Sequence, residues 1–345
     1  MHTMSVDRLN TGHPGAKQEL KGPGIDQKSL DISPQLITLI SQQSSQQPLP
    51  EIHILADELL ARYGRTIQAI LFYGSCLRKG DNEGLLDLYL LVDNYRSAHR
   101  KRWPAFLNRL LPPNVYYLEL PFKGRLVRAK YAVLSIKDFE RGTSRRWFHS
   151  YLWARFAQPT GLVYVRDDQI AQQVQNALAC SVITFITRVL PILPSRFCAR
   201  DLWRKGLWLS YCSELRPEKL DSIFALFDAN IKYYEQLTQT AITAVPFPVQ
   251  VASGSYPTCY HVNIPARIRF FNRLAWTVRR PQGKLLSVLR LLKGMTTFQG
   301  GLDYILWKIE QHSGITVEVS PRLKRHPLLA SGVLFWRLYR RGAFR

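Results

Sequence analysis

The spacing of apolar positions changes several times along the first half of the chain. In "EIHILADELLARYG", Ile52, Leu55, Ala56, Leu59, Leu60 and Tyr63 recur every three or four residues and the run stops at Gly64, which predicts an amphipathic helix. "TIQAILFYG" predicts a strand, "GLLDLYLLVDN" a second, and "NVYYLELPFKGRLVRAKYAVLS" two more joined by a turn at Lys123-Gly124. Between them, "YRSAHRKRWPAFLNRLL" predicts one helix with a solvated basic face and with Trp103, Phe106 and Leu110 turned inward. From "QIAQQVQNALACSVITFITRVLPIL" onward the periodicity is mostly helical, with further helices around 200–214, 219–240 and 284–311 and a Pro-rich break at "VPFPVQVASGSYP". Helix, strand, turn, strand, helix and hairpin, followed by helices, predicts an α+β chain with a mixed sheet and a mainly helical second part.

Boundaries follow from composition. Residues 1–48, ending in "SQQSSQQPLP", are rich in Gly, Ser, Gln and Pro and read as a flexible leader, because such a segment buries too little apolar surface to offset its ordering entropy. Residues 49–168 then form one domain, and 169–320 a mainly helical domain closing a cleft against it. The run 321–345 mixes Arg and Lys with Phe335, Trp336 and Tyr339, which suits an amphipathic anchor on an anionic membrane; the plainer reading is a helix that completes the core. No stretch reads as a signal peptide, and none reaches the ~20 apolar residues of a spanning helix.

Charge narrows the partners. The 345 residues hold 47 Lys or Arg against 25 Asp or Glu, a formal charge of +22. That excess points to an anionic partner: nucleic acid, an anionic membrane, or a nucleoside triphosphate with a phospholipid. The five cysteines show no Cys-x-x-Cys pair and no histidines at ligand spacing, so a zinc site and a disulfide framework are not expected and a reducing compartment fits best.

One acid interrupts the second strand. Asp87 stands between Leu86 and Leu88 in "FYGSCLRKGDNEGLLDLYLLVDN", after a Gly-Ser turn that leaves the first strand. A lone carboxylate there is either a device of strand edge or register, or a ligand facing the turn. In the second case Gly74 lets the backbone approach a phosphate, Ser75 adds a donor, and Asp87 anchors the Mg²⁺ bridging the phosphates, as in nucleotidyltransferases. Those folds carry a second acid two residues on, where this chain has Tyr89.

These residues resemble one family in particular: the mitochondrial-type phosphatidate cytidylyltransferases, the CDP-diacylglycerol synthases of the translocator-assembly-and-maintenance family. The family's "YGSG" is similar to "YGSC", its Asp strand to "LDLYLLVDN", and its following His to His99. "VYYLELPFKGRLVRAKYAVLS", "SYLWARFAQPTGLVY", "LSYCSELR" and "SVLRLLKGMTTFQGG" resemble later family segments in the same order, from about 52 to about 300. The chain departs from the pattern at Cys76, at Ala98 and at Glu214, where the family has Asp.

The resemblance implies transfer of CMP from CTP to phosphatidate at a membrane surface, giving CDP-diacylglycerol and pyrophosphate, with in-line positioning and charge neutralisation dominating. It assigns Asp87 to Mg²⁺, Gly74 and Ser75 to the terminal phosphates, and Lys130 to charge neutralisation; Glu119, by its alternation on the preceding strand, is a candidate for a further carboxylate on Mg²⁺. Glu214 and Arg216 close the pocket from the helical domain, while Arg155 and Lys293 contact anions; for each of these the plainer reading is a solvated or structural side chain. His99 is expected to orient a neighbour or contact phosphate. The implied location is cytoplasmic, peripheral on the inner face of the cell membrane, or on the matrix side of the inner membrane in a mitochondrion. Nucleic acid is not expected as a partner, since no RNA-binding module or stacking platform is visible. The alternatives are a nucleotidyltransferase acting on RNA or a small molecule, and a degenerate relative that only binds membrane or nucleic acid.

Overall fold

Period-two alternation in the first half of the chain builds a five-stranded sheet, and the longer helical repeats cover it. The computed structural model describes residues 32–45, 49–79, 85–215, 220–252 and 258–297. In chain order these form α1 (Pro34–Ser44), α2 (Pro50–Tyr63), β1 (Ile67–Tyr73), α3 (Ser75–Lys79), β2 (Leu86–Val92), α4 (Tyr95–Ala98), α5 (Arg102–Leu110), β3 (Asn114–Phe122), β4 (Arg125–Ser135) and α6 (Ile136–Thr143). There follow α7 (Trp153–Phe156), β5 (Gly161–Val165), α8 (Asp168–Val189), β6 (Arg196–Cys198), α9 (Ala199–Tyr211), α10 (Leu220–Asp228), α11 (Ile231–Ala241), β7 (Val249–Ala252), β8 (Cys259–Val262) and α12 (Ala266–Thr297).

The large sheet runs β3-β4-β2-β1-β5 and is mixed: β2 and β4 are parallel, and the other pairs are antiparallel. Because side chains alternate across a strand, the register sorts the faces. Leu86, Leu88, Leu90 and Val92 of β2, Ile70 and Phe72 of β1, and Val127, Ala129, Tyr131 and Val133 of β4 join Ile52, Leu55 and Leu59 of α2 in one apolar cluster. Asp87, Tyr89, Tyr73 and Lys130 take the opposite face. There Phe156 of α7 packs against Tyr73, Tyr89 and Phe139 of α6. The β3-β4 hairpin turns at Lys123 (φ 47°) and Gly124 (φ 75°), where the sequence put it.

The described residues from Ile32 on belong to one compact unit, with α8 packed on β1, β5, α1, α6, α7, α9 and α11. By length and composition the segment Asp168–Ile192 qualifies as a membrane span, against the sequence expectation, but most of it is enclosed by protein. Its faces are taken by neighbours: Phe185, for instance, stacks on Trp203 and touches Trp153.

Several expectations need correction. The leader boundary at 48 falls too late: "PQLITLISQQS" starts with Pro at N1 and buries Leu36 and Ile40, so α1 is a folded element. The helix expected over 95–111 is two helices broken at 99–101, and Trp103, Phe106 and Leu110 are 61%, 55% and 68% exposed rather than inward. What turns α5 is Asn108, wholly buried, whose amide donates to the Val133 carbonyl while its oxygen accepts from the Asn114 amide. A buried amide must be satisfied, and doing so outweighs exposure of the aromatics. The helix over 219–240 breaks at Ala229-Asn230, α12 begins well before 284 and runs through Pro281, and the Pro-rich break contains β7 of a second sheet, β6-β8-β7. Register opposes Cys198 and Cys259 across β6 and β8, and they form a disulfide that their 61-residue separation concealed. Residues 1–31 and the tail 321–345 lie outside the described residues.

Candidate active site

The Gly-Ser bend and the lone acid meet. Antiparallel register sets Tyr73 opposite Asp87, so the residue after β1 turns directly over the carboxylate. Gly74 has φ +101°, a conformation that side-chain-bearing residues rarely adopt, and a Cβ there would lie 2.9 Å from Asp87 Oδ2. Glycine is required twice at this position, by backbone angle and by space. Ser75 begins α3 with its side chain exposed, and Cys76 behind it is buried, donating through Sγ to the Leu85 carbonyl at 3.7 Å. Parallel register brings Lys130 beside Asp87, with Nζ 2.9 Å from Oδ1 in a half-buried ion pair.

A second charged pair lies deeper on the same face. Arg155 of α7 donates to the hydroxyls of Tyr73, Tyr89 and Tyr151 at 3.1–3.3 Å and, through its other terminal nitrogen, to Glu214 at 3.2 Å. Arg155 and Glu214 are only 10% and 11% exposed, so this ion pair ties the helical half to the sheet. Burial opposes the guanidinium charge, but Tyr151, Tyr89, Tyr73 and Glu214 together hold its pKa above the ordinary arginine value. Burial, with the Asp87 charge next, pushes Tyr73 up to about 12. Burial likewise raises Tyr89, whereas at Tyr151 the opposing charges of Arg155 and Arg290 outweigh burial and lower it.

No protein-family model matches the chain, and no curated protein matches it in sequence. Function must therefore be argued from the site itself.

The sequence-derived residues divide accordingly. Gly74, Ser75, Asp87 and Lys130 come together, and Tyr73 links them to Arg155 and Glu214. Glu119 faces the same side of the sheet, but from β3 with β4 between it and Asp87, and it accepts from Arg128 at 2.9 Å and Tyr117 at 2.6 Å. Tyr89 is not a vacant acid position; it is a buried acceptor for Arg155. His99 lies on the opposite face, against Tyr116 and Asn108, with its pKa lowered to about 4 by burial and the Lys293 charge. Lys293 caps the carbonyls of Leu111 and Pro113 at 2.5 and 2.6 Å, tying α12 to the loop before β3. Arg216 lies outside the described residues.

Tyr73, Tyr89 and Tyr151 were missed as site residues. A signal for them existed: Tyr89 shares Asp87's strand parity, Tyr73 is its cross-strand partner, and Tyr151 precedes Arg155 by one helical turn.

The donor set suits Mg²⁺ only in one form. Magnesium is commonly held by one or two carboxylates together with substrate phosphates and waters. Asp87 offers one carboxylate beside a bend that a Cβ would fill, and the described residues contain no cluster of three acids, histidines or cysteines. A magnesium ion that arrived on a triphosphate would find one protein carboxylate here, that of Asp87.

Proposed function

We propose that the chain is a Mg²⁺-dependent nucleotidyltransferase that transfers CMP from CTP to phosphatidate at a membrane surface. The observation that carries the reading is the contact of Gly74 with Asp87, flanked by Lys130: a positive-φ glycine, a carboxylate and an ammonium group at the end of two paired strands. In this reading Asp87 would hold the metal, which offsets phosphate charge when bound. Gly74 keeps the bend open to the terminal phosphates, and Lys130 exchanges its hold on Asp87 for a phosphate oxygen. A phosphatidate oxygen bonds to the α-phosphorus as the bond from that phosphorus to the β-bridging oxygen breaks, and pyrophosphate leaves. The acceptor is already an anion, so in-line placement and charge neutralisation carry the rate rather than a base. The choice of CTP and phosphatidate rests on the family resemblance.

Helix α12 supports a membrane location. It carries no acid and eight Lys or Arg, of which Arg267, Arg273 and Lys284 are exposed, and leaves Phe270, Phe271, Leu274, Val278, Leu285 and Leu289 exposed along one stripe. Basic residues flanking an apolar stripe suit an anionic bilayer surface.

A second reading, a relative without activity, is favoured by one observation: Asp87 is already paired with Lys130. One assay separates the two. Purified protein is mixed with phosphatidate-containing vesicles, CTP and Mg²⁺, and pyrophosphate release is followed. Lipid-dependent release that falls at least about a hundredfold in Asp87→Asn supports transfer. No release from wild-type protein supports the inactive relative.

A further inference from the structure

Asp87 lies at the start of β2; a cavity of about 1140 Å³ opens beyond its other end, where β2 and β4 give way to Asp93 and Ser135. Its walls come from the segment 93–96, α5 and the loop after it, Ser135, α6, the segment 146–152 and α12, and none of the Gly74, Asp87 and Lys130 group lines it. Seven Lys or Arg side chains do, among them Arg102 and Arg109 of α5, Lys137 and Arg141 of α6, and Arg290 of α12. Among the described residues none of the seven is in an ion pair. Two acids also line the cavity, and both are satisfied by hydroxyls: Asp138 accepts from Tyr95 and Ser135, and Asp93 from Ser97.

The wall on the α12 side holds polar atoms with no hydrogen-bond partner among the described residues. His149 Nε2, Gln282 Oε1 and Arg290 Nη1 are enclosed and lack hydrogen-bond partners. Arg290 is nonetheless fixed in place, donating through Nε to the Pro112 carbonyl and lying 4.0 Å above the Tyr151 ring. His149 stacks on the same ring. Enclosed, unsatisfied polar groups cost stability, so beside a basic cavity they are groups that a small side-chain movement would let a ligand satisfy.

We propose that this cavity is a second anion site, separate from the Asp87 bend, that takes the phosphate group of a phosphorylated ligand. Arg290 supplies an oriented donor, and Gln282 can turn its amide to present the NH₂. Burial, with the Arg290 charge next, brings His149 down to about 4, so the ring is neutral at physiological pH and can donate or accept through Nε2. The surrounding cations give a charge field that a phosphate neutralises without an accompanying metal. Phe106 and Leu110, both exposed, also line the cavity, so an apolar group attached to the phosphate has a surface to lie on. The source can therefore be a soluble polyphosphate or a lipid phosphomonoester.

Calorimetric titration in EDTA tests the site, with inorganic pyrophosphate in one arm and dioctanoyl phosphatidate, below its micelle concentration, in the other. Proteins compared are wild type, Lys130→Met, Arg290→Gln and the rim double variant Arg109→Gln/Arg141→Gln, which spares the packed wall if Arg290→Gln fails to fold. The expected result is saturable binding of at least one probe, unchanged within about twofold in Lys130→Met and weakened at least about tenfold in the cavity variants, the loss of one charge-assisted bond. The tighter probe identifies the source. Binding lost in Lys130→Met but kept by the cavity variants, or no binding of either probe to wild type, overturns the proposal. Because the reading needs neither turnover nor Mg²⁺, it stands or falls separately from CMP transfer.

Discussion

At one end of β2 the charges of this protein come in pairs, and at the other they do not. Beside the Gly74 bend, Asp87 holds Lys130, and a few ångströms of phenol hydroxyls lead on to Arg155 held by Glu214. Around the cavity beyond Val92, cations have no ion-pair partner among the described residues, while the two acids are occupied by hydroxyls. A paired site has little net field, so an anionic ligand must bring a cation with it or displace one partner. An unpaired site draws the anion alone. On the two proposals, the same +22 chain would meet phosphate at two places, with a metal at one and without it at the other.

The contrast can be broken most forcefully at Arg155. Arg155→Met takes a guanidinium away from Glu214 and from three tyrosine hydroxyls in a nearly closed environment, and breaking a buried ion pair on one side costs about 3–5 kcal/mol. Urea unfolding should show that loss, and a change within experimental error would mean the pair is not sealed from water. Next in size is Gly283→Ala. A Cβ there would meet the Ser213 carbonyl oxygen at 2.0 Å and His149 Nε2 at 3.2 Å, so α12 must move off the backbone at Ser213. Overpacking of this kind costs about 1–3 kcal/mol, readable as a lowered thermal midpoint. An unchanged midpoint would show that α12 is not clamped there.

Acidification separates the ends by a smaller effect. His149 is lowered from 6.5 to about 4, by burial first and by Arg290, Arg279 and Arg155 against the opposing charge of Glu214. Between those values the unfolded chain binds more protons than the folded one, so stability falls as pH drops from 6.5 towards 4 and levels off below. His99 behaves in the same direction. His149→Gln should therefore lose roughly half of the histidine-linked fall, measured as the difference in urea midpoint between pH 7.5 and pH 4.5; an identical fall in wild type and variant would deny His149 a buried neutral state. The smallest effect belongs to the rim. Arg109→Gln removes a guanidinium as Arg155→Met does, but from an exposed position with no ion pair, and should alter stability by less than about 0.5 kcal/mol.

The part of this arrangement that local periodicity dictates was legible. Alternation in "LDLYLLV" and "ILFY" put Asp87 on a strand opposite the Gly-Ser turn, and "FKGR" placed the hairpin, because strand parity and turn chemistry are local. The helical stripe of α5 points its aromatics inward, but the buried amide of Asn108, whose partners lie on β3 and β4, sets the rotation of the helix and leaves them exposed. The Cys198–Cys259 bridge and the Arg155–Glu214 pair join residues whose nearness is decided by packing between distant elements. Pairing of acids with bases was likewise hidden: Glu119 reads as a ligand in sequence, yet the β3-β4 register hands it to Arg128. Sequence showed which groups were available for chemistry, while register decided which were already engaged.

The most direct measurement is CTP binding to the Arg109→Gln/Arg141→Gln protein, in which the cavity is weakened, by calorimetry with Mg²⁺ and again with EDTA. The paired end predicts saturable binding with Mg²⁺, at least about tenfold weaker binding with EDTA, and the same loss when Asp87→Asn is added in the presence of Mg²⁺. Equal affinity with and without the metal, or an Asp87→Asn protein that binds as before, would contradict the assignment of Asp87 to a metal-bearing nucleotide.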